Sequence, residues 1–278
     1  MIGVIDVGGG MRGIYGAGVF DYCMDQGISF DACFGVSAGA ANISSYVAHQ
    51  RGRNYRYYSE YAFRKEYMGW ENFVRTRSYI NLNYIYGTLS NSDGEYPLDY
   101  PNMLSSGKQM QIVTTDARTG RPYYFSLEDM QQDKYDPIKA SSCVPVVNRP
   151  YTINGIPYYD GGISDPIPVN RAFRKGCDKV VLILTRPRDD YRDSNSDRRL
   201  AKLIAKRYPK AAYKLAHRAQ IYNRQLDLAK SYEKRGKVLI IAPKDISGMK
   251  TLTKDLDAMR FMYQEGYEDA EKIPAFIG

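Results

Sequence analysis

The sequence predicts an α/β fold built on a mostly parallel sheet, on three observations. Residues 2–7 read as a buried strand that runs through a glycine-rich loop into a helical pattern. Residues 28–34 contain a second short strand that turns sharply into another helix. This β-loop-α-β-turn-α order needs crossover connections and so implies parallel pairing. Residues 180–184 form a wholly apolar run of strand length, as expected of a strand buried on both faces.

The elements follow in order. The first helical pattern passes through Tyr15, Val19, Phe20 and Met24 and ends near Gly27; a small-residue helix covers 38–49. Ten of the chain's 26 tyrosines then fall between residues 54 and 100, with the single tryptophan, Trp70. Residues 79–86 show no clean period, so 54–107 reads as short helices and loops over the strand ends. An aromatic-rich cap of this kind can line an apolar acyl pocket, or can be the ordinary packing of a long connection. Residues 108–115 return to strand character, with 121–126 as partner, and 136–143 reads as a short helix ending before Pro145. Residues 151–159 form a hairpin whose Asn154-Gly155 pair favours a type I′ turn, and the hairpin delivers the chain to Asp160-Gly161-Gly162. After a polar loop at 189–197, helical character runs from 198 to about 235, broken or kinked at Pro209. There Ala212, Leu215, Ala219, Tyr222, Leu226 and Ala229 make one apolar stripe with basic residues opposite. Residues 237–242 are a last strand, and 252 to about 272 a last helix. The expected organisation is a core at 1–185 with the cap at about 54–107, completed by a basic helical segment, strand and final helix at 186–278.

Composition narrows the function classes. A chain of 278 residues with 44% hydrophobic and 25% charged residues is ordinary for a globular protein. No apolar run approaches the roughly 20 residues that span a bilayer. Residues 1–6 lack a basic region ahead of an apolar one and do not read as a signal peptide, so a cytoplasmic location is the default expectation. The four cysteines, Cys23, Cys33, Cys143 and Cys177, form no C-x-x-C pair, and the only histidines are His49 and His217. A zinc site is not expected, and reduced, packed thiols are. The net charge of +8 is uneven: residues 186–237 hold 16 Lys and Arg against 6 Asp and Glu, which is +10, leaving −2 elsewhere. Such a segment reads as a solvated helix face or as a surface for an anionic partner. An anionic membrane met peripherally through residues 198–235, at the inner membrane surface, is the partner this charge would suit; a nucleic acid is not expected.

The candidate chemistry centres on Gly35-Val36-Ser37-Ala38-Gly39, a G-x-S-x-G pattern suited to a strand-to-helix turn that holds a nucleophilic hydroxyl. A serine hydrolase also needs a base within reach of the hydroxyl and donors for the developing oxyanion. Gly8-Gly9-Gly10 can turn backbone N–H groups toward an anion, the N–H of Ala38 is a further donor, and Arg12 adds a positive charge. The same loop, Gly8 to Gly13, also matches the dinucleotide-binding G-x-G-x-x-G, with Asp31 as the acidic partner near the second strand. That reading leaves the Ser37 pattern without a role. For the base, His49 lies 12 residues along the same helix, roughly 18 Å away. His217 fits the Ser…Asp…His order but sits on a basic amphipathic helix. Asp160 ends a strand ahead of two glycines and is better placed, although a carboxylate is a weak base for a hydroxyl unless desolvation raises its pKa.

The ordered set Gly8-Gly9-Gly10-Met11-Arg12-Gly13, Gly35-Val36-Ser37-Ala38-Gly39 and Asp160-Gly161-Gly162 resembles the patatin-like phospholipase family, over roughly residues 2–185. The run from Ala140 to Pro145 resembles that family's A-S-x-A-x-P segment, with Cys143 where a smaller residue is usual. The resemblance implies a three-layer α/β/α fold and a Ser-Asp dyad without histidine. Ser37 would be the nucleophile, Asp160 the base, and Gly8, Gly9, Gly10 and Arg12 the oxyanion hole, with Gly35, Gly39, Gly161 and Gly162 as motif support. It implies hydrolysis of acyl esters of lipids, with no metal and no organic cofactor. The alternative is a non-catalytic protein on the same scaffold that holds an anionic membrane or nucleic acid through its basic helices.

Overall fold

Strand β1 (Ile2–Asp6) lies inside the sheet, parallel to β2 (Ala32–Val36) on one side and to the much later β7 (Lys179–Ile183) on the other. The computed structural model describes residues 1–246 and 248–278. Among these, eight strands make one sheet, in the order β5-β6-β3-β2-β1-β7-β8 with β4 paired to β3. The remaining strands are β3 (Gln109–Asp116), β4 (Pro122–Ser126), β5 (Tyr151–Ile153), β6 (Ile156–Asp160) and β8 (Val238–Ile241). The run β3-β2-β1-β7-β8 is parallel throughout, and β4, β5 and β6 pair antiparallel.

Alternation along the strands separates two cores. Val4, Cys33, Val181 and Ile183 face one side, while Ile5, Phe34, Val180 and Leu182 face the other. The first side is covered by α1 (Ile14–Asp25), α2 (Ala38–Val47) and α11 (Leu256–Asp269), through residues such as Phe20, Ile43 and Met262. The second is covered by α7 (Val169–Arg174) and α10 (Arg218–Glu233), through Val169, Tyr222 and Leu226. The architecture is three-layer α/β/α. All four cysteines are free and buried. No helix among the described residues is long and apolar enough to cross a membrane.

Between α2 and β3 lie α3 (Arg53–Ser59), α4 (Trp70–Thr76) and α5 (Tyr100–Ser105), joined by short turns, and α6 (Asp136–Ser141) precedes the β5–β6 hairpin. Asn154 and Gly155 take φ of 48° and 76°, as a type I′ turn requires. The helical stretch expected at 198–235, with its break at Pro209, is three helices: α8 (Asn195–Ile204), α9 (Pro209–Ala216) and α10. Pro209 opens α9, where its missing N–H costs nothing. A second break falls at His217, with φ −105° and ψ 7°. The cause is packing: Ala212 and Leu215 enter one core, and Tyr222, Leu226 and Ala229 enter the other. One straight rod could not serve both. The last long helix starts at Leu256, four residues later than expected, where the Asp255 side chain accepts the N–H groups of Asp257 and Ala258. A short α12 (Ile273–Ile277) follows.

Candidate active site

Strand β2 ends at Val36 and α2 begins at Ala38, so Ser37 alone makes the turn. It does so at φ 56° and ψ −129°, a conformation that costs a side-chain-bearing residue about 1–3 kcal/mol. Two backbone hydrogen bonds hold it: the Ser37 N–H donates to Ser141 Oγ at 2.8 Å, and Ser37 O accepts the Ala40 N–H at 2.9 Å. Ser141 in turn donates to the Val113 carbonyl at 2.6 Å, tying the turn to β3. The flanking glycines are there for space. A Cβ on Gly39 would overlap the Asp6 carbonyl, and one on Gly35 would lie 2.5 Å from Ala40 Cα.

The loop after β1 sits beside this turn. Gly8, Gly9 and Gly10 have φ of 64°, 126° and 62°, three successive values that side-chain-bearing residues avoid. Asp6 organises the loop from below. Its carboxylate accepts the Gly8 N–H at 2.8 Å and Asn42 Nδ2 at 2.8 Å, and burial pushes its pKa up to about 6. Asn42 Nδ2 also donates to the Gly13 carbonyl, and the Thr185 hydroxyl donates to the Gly8 carbonyl. The Gly8 N–H, one of the expected anion donors, is therefore spent inside the loop. The N–H groups of Gly9, Gly10 and Ala38 donate to no group among the described residues.

Asp160 arrives from the end of β6, its N–H held by the Cys143 carbonyl at 2.9 Å. Its side chain is 7% exposed and accepts the Gly162 N–H at 2.7 Å. Burial raises its pKa, opposed by the Ser37 hydroxyl, by Gly162 and by the charges of Arg218 and Arg192. Arg12 is buried with one long bond, Nη1 to the Met249 carbonyl at 3.4 Å. Burial and the neighbouring Arg186 pull its pKa down to about 10.

Two cavities meet at Ser37. One is apolar, walled largely by the cap, with Tyr57, Tyr58, Met68, Leu82, Ile85 and Tyr86 among its lining. The other is lined by Gly8, Gly9, Gly10, Asp160, Gly162 and several arginines including Arg12. It opens beyond the ends of β1 and β7, where the strand order reverses direction, the usual place for a ligand crevice in such sheets. Ser37, Asp160, the glycine loop, Arg12 and Gly162 thus come together, with Gly35, Gly39 and Gly161 packed behind them.

Other sequence candidates lie elsewhere. Asp31 stands at the opening end of β2, where its carboxylate accepts the Ile2 N–H at 2.6 Å. That is the opposite end of the strands from the glycine loop, so the pairing needed for a dinucleotide ribose does not form. His49 is exposed beyond the far end of α2, and His217 stacks on the Tyr213 ring, 4.2 Å between centroids; neither lines a cavity with Ser37. Sequence reasoning passed over Asp6, Asn42, Thr185 and Arg192. Only Asp6, which directly precedes the loop, had a positional signal. Ser141 stood inside a named motif, but its role as a backbone anchor had no signal.

A family model described as patatin-like phospholipase matches residues 7–173. The chain belongs to the patatin-like phospholipase family. Membership agrees with the three-layer architecture. A second model, a domain of unknown function (DUF6363), matches residues 208–275. The patatin-like chain is also 34% identical over 195 residues to the uncharacterized protein YjjU of Escherichia coli (strain K12), covering 68% of this chain. It spans 53% of that relative's length. A crystal structure of VipD from Legionella pneumophila aligns with a TM-score of 0.49 at 14% identity, over 98% of this chain and 66% of the other.

Proposed function

We propose that this chain is a serine lipid acyl hydrolase in which Ser37 is the nucleophile and Asp160 the general base. The observation that supports this best is the position of the Ser37 hydroxyl. It stands at the junction of an apolar cavity and a polar one, beside a desolvated carboxylate. The acyl chain enters the apolar cavity and places its ester carbonyl over Ser37. Ser37 Oγ attacks the carbonyl carbon and its proton passes to Asp160, whose desolvation makes it a better base than an exposed aspartate. Negative charge on the carbonyl oxygen meets the unspent N–H groups of Gly9, Gly10 and Ala38, with the Arg12 charge behind them. Collapse expels the alcohol, which takes the proton from Asp160. Water, deprotonated by Asp160, then releases the fatty acid and restores Ser37. No histidine takes part.

A fluorophosphonate probe tests the reading. The wild type should label at Ser37, and Ser37→Ala should neither label nor hydrolyse a short-chain ester while keeping its melting temperature. Hydrolysis retained in Ser37→Ala would overturn it.

A further inference from the structure

The cavity on the β7 side of Ser37 holds more positive charge than its own partners neutralise. Arg12, Arg186, Arg192 and Arg218 line it. Two are matched: Arg186 pairs with Asp190 at 2.7 Å, and Arg218 grips Asp197 through both Nη2 and Nε, the latter at 3.0 Å. The other two are not. Arg12 is 8% exposed, has no carboxylate partner, and its Nε meets no acceptor among the described residues. The Arg192 guanidinium makes no hydrogen bond or ion pair with any described residue. It lies over the Tyr222 ring, 5.4 Å from the centroid. Its backbone is fixed on both sides by Asn223, which accepts the Arg192 N–H at 2.8 Å and donates to the Arg192 carbonyl at 3.1 Å. Burial and the like charge of Arg218 pull the Arg192 pKa down to about 10, against the attraction of Asp197, which Arg218 already holds. Cations gathered out of water in this way call for an anion. Among the described residues, the only carboxylate lining the cavity is that of Asp160, which faces Ser37.

We propose that this cavity is a phosphomonoester subsite, in which Arg12 and Arg192 hold the terminal phosphate of an acyl-ester lipid. Two unmatched guanidinium groups suit a phosphomonoester, which carries about −1.5 to −2 charge at neutral pH. The planar fork of arginine matches phosphate oxygens two at a time. Apart from Asp160, the described residues of the lining offer no carboxylate to receive the ammonium of a zwitterionic headgroup. Arg192, Arg218 and Tyr222 all lie beyond the patatin-like match at residues 7–173, so the basic segment supplies this wall of the site. The consequence for hydrolysis rests on the function proposed above; the binding does not.

Binding and turnover are tested separately. Ser37→Ala protein is titrated calorimetrically with glycerol 3-phosphate, inorganic phosphate and glycerol. Wild type and Arg192→Gln are assayed on three esters sharing one acyl chain: a monoacylglycerol phosphate, its phosphocholine counterpart and the neutral monoacylglycerol. Ser37→Ala should bind glycerol 3-phosphate and not glycerol, and adding Arg192→Gln should weaken that binding about 10- to 100-fold, the effect of losing hydrogen bonds to a charged group. The wild type should prefer the phosphomonoester to both other esters by at least about tenfold in kcat/KM, and Arg192→Gln should erase most of that preference at an unchanged melting temperature. Binding without hydrolysis of any ester would support the subsite and count against the hydrolase reading. Equal hydrolysis of all three esters with no binding of glycerol 3-phosphate would overturn the subsite and leave the hydrolase reading standing. Inorganic phosphate binding as tightly as glycerol 3-phosphate, without selectivity among the esters, would assign the cavity to free phosphate and overturn the headgroup assignment.

Discussion

Ser141 Oγ accepts the Ser37 N–H at 2.8 Å and donates its own hydrogen bond to the Val113 carbonyl at 2.6 Å, so one buried hydroxyl holds the strained residue against β3. Ser141→Ala leaves both groups without a partner, at about 1–3 kcal/mol for each buried group. We expect a lower melting temperature and a kcat reduced about tenfold with KM nearly unchanged, because the loss is in holding Ser37 rather than in gripping substrate. Steady-state kinetics and thermal melts of the variant check this; a normal kcat would refute it.

Asp6 gives stability a pH dependence of definite sign. Its ordinary pKa of 3.8 rises to about 6 in the folded chain through burial. Within that interval the folded state binds more protons than the unfolded, so the contribution is full below 3.8 and fades as pH rises through about 6. Urea unfolding of wild type and Asp6→Asn, compared between pH 4 and 7, should show the difference between the two changing across this window. A pH-independent difference would count against the assignment.

Asp160 must be ionised to act as a base, and burial raises its pKa. The acid limb of kcat/KM should therefore fall at a pH above the ordinary aspartate range. Arg192 acts against that rise, so Arg192→Gln should move the limb further up. Asp160→Asn should lose about 10²- to 10⁴-fold in rate. A profile flat through the acid range would show that another group carries the proton.

Arg53 is a buried cation with no carboxylate partner among the described residues. Its guanidinium donates instead to Ser45 Oγ at 3.1 Å, to Tyr57 Oη and Ser90 Oγ at 2.9 and 2.8 Å, and to the Tyr96 carbonyl at 3.1 Å. It joins α3 to the rest of the cap and lines the apolar cavity. Arg53→Ala should cost about 3 kcal/mol by removing these charged hydrogen bonds and leaving a cavity, although Tyr57 Oη and Ser90 Oγ keep each other as partners, and should shift ester preference toward longer acyl chains by enlarging the cavity. Denaturant melts and a chain-length series of chromogenic esters read the two effects.

The legible parts of the chain were those where chemistry restricts residue type locally. The glycine loop, the Ser37 turn and the Asn154-Gly155 hairpin each need a conformation that few residues adopt, so the sequence announces them. The two-sided burial of β7 was legible for the same reason, as an unbroken apolar run. The break at His217 was not, because the stripe from Ala212 to Ala229 keeps helical spacing across it. Only the placement of two cores on opposite faces of the sheet forces the bend. Arg192 was hidden in a charge count: the same +10 that reads as a solvated face includes side chains turned into a cavity. Thr185 and Asn42 act on residues far away in sequence, Thr185 on Gly8 and Asn42 on Asp6, and such pairings leave no local trace.

The parallel contact between β1 and β7 sets a limit on how the chain can be divided. The patatin-like match ends at residue 173, but β7 begins at Lys179, and the Thr185 hydroxyl just past its end steadies the Gly8 carbonyl. A fragment cut at the end of the match would turn β1 from an interior strand into an unpaired edge, open to pairing with other chains. The portion that carries the recognisable motifs is thus smaller than the portion that can fold. Deletion series meant to find a minimal enzyme should aggregate well before they reach Ser37 or Asp160.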